Sequence, residues 1–463
     1  MTGFRPVGRA RRDGGAEKVN APVARSFGTY TLDRRPLAIP AYRRLWIASV
    51  ISAVGGSFSV VTVPTQLFTM TGSSATVGAA AAVSFIALVV ASLWVGALAD
   101  LVDRRRLLLA AHCGLALTYV ALWAQAASGS RSVAVLLVLV ACQGLTFGSI
   151  MVTMGAAVPR LVPAELLPAA NGLSSLVRYT GSIMGPLLAG VLIPVTGLGT
   201  LYLFDAVALL AVLWAVFALP PILPGPHPAP RDGSQERLSE TLSNDATARS
   251  GRRRFTLGQV FAGFRHLLTS RVLAAVVAVD LAAMVFGMPT ALLPELAQRT
   301  YGGPVGGGWE LGLLYAAYPA GVFAAGLMSG TFTHARRHGA LMASAALAWG
   351  GAVVVLGLAP RLWLALMALI LGGAVNFVLS TFRNAISQAY TDDALRGRIQ
   401  GSLTVVLMGG PQIGSLLHGT AAAAYGPQVT ICVGGLLTVA TVAVIIRAVP
   451  QFWRYTAPTA DRR

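Results

Sequence analysis

Asp280, Arg178 and His418 each stand inside a long apolar run of this 463-residue sequence. A charge at the centre of a membrane helix costs about 2.5–3.5 kcal/mol on insertion scales, so such groups are functional candidates by default. Asp280 lies about eight residues into its run, hence roughly 12 Å deep at ~1.5 Å per residue. A carboxyl placed there loses hydration, which favours its neutral form and suits it to taking up and releasing a proton. Asp280 is therefore the first candidate for proton exchange. The alternative is a structural pair with an arginine, or a polar wall of a cavity. Arg178 could attract an anionic substrate or balance such an acid; equally, it could reach back to the membrane interface. His418 is a second proton candidate, and otherwise a packed neutral histidine.

The elements that hold these groups follow from composition. Hydrophobic residues make up 55% of the chain and charged residues 11%, with a mean hydropathy of +0.68. Soluble domains carry about 25% charged residues, so an ordinary soluble enzyme is excluded. A spanning helix needs roughly 20 mainly apolar residues. Twelve such runs are present, at 45–70, 75–99, 107–127, 132–158, 169–194, 199–219, 272–297, 309–331, 339–359, 361–384, 399–423 and 428–449. They are too long and continuous for barrel strands, which alternate over about 10 residues. All three cysteines (Cys113, Cys142, Cys432) fall inside runs and read as small buried hydrophobes. They offer no disulfide framework.

Arginine placement sets the orientation. With a cytoplasmic N-terminus, the inside segments hold thirty of the 35 Lys+Arg and the outside loops only Arg131, Arg299 and Arg361. Both ends are thus expected inside. The net charge of +18 then reflects this bias and attraction to anionic lipid rather than a nucleic-acid footprint. Residues 1–44, with ten basic residues, read as a disordered cytoplasmic tail and not a signal peptide. Leu37 to Trp46 could lie along the membrane surface. In this frame Asp205 is a helix-packing acid near the outer end of the sixth run. Arg383, near the inner end of the tenth, is expected in an inside gate with Asp392 or Asp393. Glu295 and Glu310 fall at the outer surface and read as solvated.

The polar stretch 220–271 divides the runs six and six, giving bundles over 45–219 and 272–449 and a tail over 450–463. Within it, 255–268 spaces Phe255, Leu257, Phe261, Phe264 and Leu268 on one helical face, which suggests an amphipathic helix. A shift of 225 residues maps Pro64-Thr65 onto Pro289-Thr290, Gly96 onto Gly321 and Gly185-Pro186 onto Gly410-Pro411. Repeated six-helix halves point to a secondary transporter with its site between them near mid-membrane.

Two motifs are specific. After the second run comes Gly96, then Asp100, Asp103, Arg104, Arg105 and Arg106; the fifth contains Gly181, Gly185, Pro186 and Gly190 at spacings that allow close helix approach. The first resembles the loop signature of the major facilitator superfamily, with Leu101 and Asp103 as departures. The second resembles that superfamily's antiporter signature, with Ala189 at one glycine. The Asp-Arg-Arg form, Pro159 to Pro163, Asn171, Asp205 and Leu395 to Arg398 are similar to the enterobactin-exporter and drug-efflux branch.

The resemblance implies a twelve-helix, all-α membrane protein of the cytoplasmic membrane, with an inside gate built from Gly96, Asp100, Asp103, Arg104, Arg105, Arg383 and Asp392. It also implies a cavity lined by the first, fourth, seventh and tenth helices, whose polar groups would be Ser57, Thr62, Gln66, Gln143, Thr146 and Asn376, with Phe58 and Phe286 as aromatic walls. The arginine that many proton-coupled relatives carry in the fourth helix is Val140 here, so coupling would need other residues. The expected function is proton-coupled efflux of an amphipathic small molecule (drug, siderophore or natural product) by a monomer, with no cofactor or metal. A lipid flippase of the same superfamily is the rival; a non-transporting sensor is a further one. No HExxH helix and no Walker lysine motif supports an enzyme.

Overall fold

The structure, a computed structural model, describes residues 33–99, 101–222, 270–332, 335–390 and 396–456, the side chains at 97, 164 and 396–406 excepted. Asp100, Asp392, Asp393, most of the N-terminal tail and the 255–268 stretch lie outside the described residues.

Ten helices among these residues are long and apolar enough to cross a membrane. One of them, Leu167–Phe217, has 51 residues and breaks at Gly197, whose φ of 78° suits glycine, so it forms two spans. The 30-residue helix Arg396–Tyr425 makes the twelfth. The expected twelve-helix fold is what forms. Helix starts are set by local chemistry: Ser73, Asp103, Ser132 and Ser270 each accept a backbone N–H in the first turn that follows. Pro40 and Pro427 occupy first-turn positions, where their missing N–H costs nothing. The fourth helix runs past 158, where the apolar run ends, through Pro159 to Leu161.

Residues 222 and 270, which flank the central linker, leave the bundle at one end, called here the linker end. The opposite end carries the short connections near 129, 197, 302 and 426, each with a glycine at positive φ. Leu37 to Trp46 does not stand apart from the bundle. Tyr42 donates to Ala170 O at 2.9 Å and Trp46 to Leu173 O at 3.3 Å, which ties this segment to the start of the fifth span.

The first span is interrupted, as Pro40–Gly55 and Ser59–Thr71. In an apolar setting the backbone groups freed by a break need partners. Asp205 of the sixth span supplies them, accepting from Phe58 N at 3.0 Å and Ser59 N at 2.8 Å. The packing role expected for Asp205 thus takes the form of a helix cap. The seventh span is interrupted too, after Gly287, and continues as short turns from Thr290 to Thr300.

The repeat is visible in packing. A Cβ added at Gly185 would stand 2.6 Å from Ser57 Cβ of the first span; one at Gly410 would stand 2.8 Å from Met284 Cβ of the seventh. Each glycine lets its own half close. One buried core fills the first half, around Leu67, Leu115, Leu136 and Leu209, and takes in Ala291 from the second. A larger one fills the second half and takes in Phe58, Val61, Ala189 and Ile193 from the first, so the two halves share a dry contact.

Candidate functional site

That contact is confined toward one end. A Cβ on Gly78 would meet Ser415 O at 2.5 Å, and one on Gly190 would meet Gly308 O at 2.8 Å and Gly312 Cα at 2.9 Å. The second span thus touches the eleventh, and the fifth touches the eighth, almost backbone to backbone. Polar groups clasp the same end. Ser74 Oγ donates to Glu295 Oε2 at 2.5 Å, and Arg299 Nη1 lies 2.6 Å from Glu295 Oε1. Arg299 Nη2 also donates to Gly72 O at 3.1 Å, and its guanidinium sits 5.3 Å from the Phe68 ring. Both Glu295 and Glu310 are buried, which corrects the expectation that they are solvated. Closing the two halves over this end removes them from water, while Arg299, the counter-ion of Glu295, stays more than half exposed at the surface. The Glu295/Arg299 spacing of four on one helix was the available signal for this pair.

Below the seal the halves part around a cavity of about 530 Å³. Its lining extends from mid-depth (Arg178, Tyr179, Ser182, Met284) toward the linker end (Arg383, Asn384), so this conformation is closed at the far end. The fifth, seventh, eighth, tenth and eleventh spans provide the walls.

The seventh and tenth helices therefore line it as expected, whereas the first and fourth do not contribute to the lining. Of the predicted cavity residues, Asn376 is present, hydrogen-bonded to Tyr318 OH. Gln66 is not. It is buried within the first half, where its Nε2 donates to Gln125 Oε1 at 2.7 Å and its Oε1 accepts from Tyr202 OH at 2.7 Å. A buried amide satisfied on both ends is a structural group. Gln143 likewise turns inward and donates to Ser59 Oγ at 3.2 Å. Thr62 bonds back to Phe58 O, and Phe58 meets Phe204 edge-on. Phe286 is half-buried and absent from the lining. Tyr179, Tyr318 and Phe377 are the aromatic walls instead. Sequence reading had no means to choose them among the chain's 28 tyrosines and phenylalanines (11 Tyr and 17 Phe).

Asp280 and Arg383 come together. Arg383 Nη1 donates to Asp280 Oδ1 at 2.9 Å and to Oδ2 at 3.0 Å, and the two side chains are 4% and 1% exposed. Arg383 also reaches Asn384 Oδ1 at 3.2 Å through Nη2. Its expected partner Asp392 lies outside the described residues; the carboxylate it holds is on the seventh span. Arg383 faces the cavity while Asp280 sits behind it. His418 is buried apart from this pair. Its Nδ1 is 2.8 Å from Gly414 O, and its Nε2 lies against Gly434 of the twelfth span.

The loop-motif residues act within the first half. Asp103 caps the third span, accepting from Arg105 N at 3.0 Å, and also accepts from Ile222 N at 2.9 Å. Arg104 Nη1 donates to Ala156 O at 3.3 Å, and Arg105 bonds to Phe217 O while lying over the Phe217 ring. Gly96 faces Val152 of the fourth span. These contacts brace the linker end of the first half. In the antiporter-type motif, Gly181 and Gly185 admit the first span, and Pro186 O and Gly190 meet Gly312 of the eighth.

Comparison with known proteins follows the geometry. The family described as transmembrane secretion effector matches residues 33–459. The enterobactin exporter EntS of Escherichia coli (strain K12) is 28% identical over 422 residues, 90% of this chain and 94% of that protein. EntS of Citrobacter koseri is 28% identical over 420 residues, with the same coverage. Among solved structures, a bacterial homologue of the human lysosomal transporter Spinster, described as inward-facing and unoccupied, has a TM-score of 0.64 at 14% identity, covering 91% of this chain and 97% of that one. A peptide transporter of the POT family bound to sulfate gives 0.68 at 12% identity, covering 92% and 100%. These likenesses speak to fold.

Proposed function

The chain belongs to the transmembrane secretion effector family, and from that premise we propose that it exports an amphipathic small molecule across the cytoplasmic membrane in exchange for protons. It is a multi-pass efflux transporter of the major facilitator fold and not an enzyme. The finer reading, proton coupling, rests on one observation: Arg383 in the cavity wall is held by the buried carboxylate of Asp280 behind it.

With Asp280 ionised, its two oxygens hold Arg383 in place and complete that wall. Protonation removes the charge that holds the guanidinium, and the pair loosens. Cargo therefore crosses with the pair intact, and the empty carrier returns with Asp280 protonated. Each arrangement excludes the other, which is the requirement for exchange. The excess of thirty Lys+Arg on the linker-end side against three on the other supports a cytoplasmic linker end, and in this reading the cavity accepts cargo from within. The carrier in this reading is a monomer driven by the proton gradient, with no cofactor. Relatives named enterobactin exporters favour a siderophore-like or other natural-product cargo.

The test is proteoliposomes with an imposed pH gradient, challenged with dyes, macrolides and catechol siderophores while internal pH is followed by fluorescence. Cargo-triggered proton movement, absent in Asp280→Asn, is the expected result. Cargo flux that ignores the gradient and survives Asp280→Asn would overturn proton exchange and turn attention to lipid substrates.

A further inference from the structure

The charges around the cavity do not balance. Two of its lining residues are arginines and none is Asp or Glu, among the described residues. Arg383 is already neutralised by Asp280. Arg178 is not. Its side chain donates to Ser175 Oγ at 2.9 Å and stacks over the neighbouring Tyr179 ring at 5.9 Å, and no ion pair among the described residues includes it. Arg178 stands eleven residues into the fifth span, about 16 Å from the linker end at ~1.5 Å per residue. The helix from Leu167 to its break at Gly197 is itself about 45 Å long, longer than the ~30 Å hydrocarbon layer, so Arg178 lies in its linker-side half, on the cavity wall. An exposed, uncompensated guanidinium in that wall has a cost that a neutral residue would avoid.

We propose that the cavity selects an anionic aromatic cargo and that Arg178 is the residue that holds its negative charge; this rests on the cavity being the cargo site of the export reading. A guanidinium binds a carboxylate or phenolate through charge-assisted hydrogen bonds, two at once where geometry allows. Stacking on Tyr179 leaves the edge of the Arg178 fork free to do so. Tyr179, Tyr318 and Phe377 offer aromatic surfaces for the rest of the molecule, with Asn376 and Ser182 as neutral polar contacts. A cationic aromatic would meet the same rings and be repelled by the same charge. Export of an anion is also downhill in an inside-negative membrane potential. The carrier's work on such a cargo is thereby reduced.

The test uses fluorescein and rhodamine 123, an anion and a cation on one xanthene framework. Binding to the purified full-length chain in detergent micelles is read by fluorescence anisotropy. Fluorescein is expected to bind at least about tenfold more tightly. Arg178→Gln should erase that preference, and Arg178→Lys, which keeps the charge, should retain most of it. Equal or tighter binding of rhodamine 123, or a fluorescein affinity unchanged in Arg178→Gln, overturns the proposal. Flux is a separate readout: charge-selective binding without transport in proteoliposomes would sustain the anion site and overturn the export reading.

Discussion

Two carboxylates in this molecule sit at equal depth of burial and do different work, because their partners differ. Asp205 accepts two backbone N–H groups from the break in the first span, whereas Asp280 faces a guanidinium. Removing the first carboxylate leaves two buried amides unpaired, at about 1–3 kcal/mol each. Asp205→Ala should therefore lower thermal stability in detergent markedly, and Asp205→Asn, which keeps an acceptor, by less. For the ion pair the single and double changes separate structure from coupling. Arg383→Gln strands a buried charge, a loss of about 3–5 kcal/mol. Adding Asp280→Asn removes that charge, so the double variant should regain much of the lost melting temperature while remaining without proton-coupled flux. Full recovery of coupling in the double variant would refute the role given to the pair. Sequence alone identified Asp280, Arg383 and Arg178 because each breaks an apolar run. It could not pair the first two across 103 residues, since the spacing of two residues on different helices says nothing of their distance.

At the scale of helices, the far-end seal depends on residues without side chains. Gly190 and Gly312 bring the fifth and eighth spans together, and Gly78 does so for the second and eleventh. Gly312→Val would place a branched side chain against Pro186 O, where an added Cβ already stands 2.6 Å away. The seal should then fail to close. A cysteine introduced at Thr65, which is buried at this end, in a background where Cys113, Cys142 and Cys432 are replaced, should become several-fold more reactive to a membrane-impermeant thiol reagent applied from the far side. Unchanged labelling would show that other contacts carry the seal. The span pattern was legible because twenty-residue apolar runs leave few alternatives. The cavity walls were not. Gln66 and Gln143 occupy helices expected to line the cavity, yet both turn toward their own bundle, where Tyr202, Gln125 and Ser59 satisfy them. An amide in an apolar helix must be satisfied somewhere, and sequence does not tell a cavity from a neighbouring helix.

At the scale of the whole molecule, the two halves are not assembled alike. The first is complete by residue 222, where Ile222 closes onto Asp103. The second is finished from behind. Its last turn, Pro450–Trp453, buries Phe452 against the seventh and ninth spans, and Tyr455 O accepts from Gly339 N at 3.2 Å. His338 stacks between Phe382 and Tyr455 at the same place. A chain cut after Ala448 should keep a protease-resistant first half and yield a second half open to cleavage at its linker end, as read by limited proteolysis and mass spectrometry. Domains settle in order as the ribosome delivers them, at about 5–20 residues per second. For this chain the schedule has a consequence: the second half waits, all six of its spans already synthesised, for a phenylalanine that follows them in the chain.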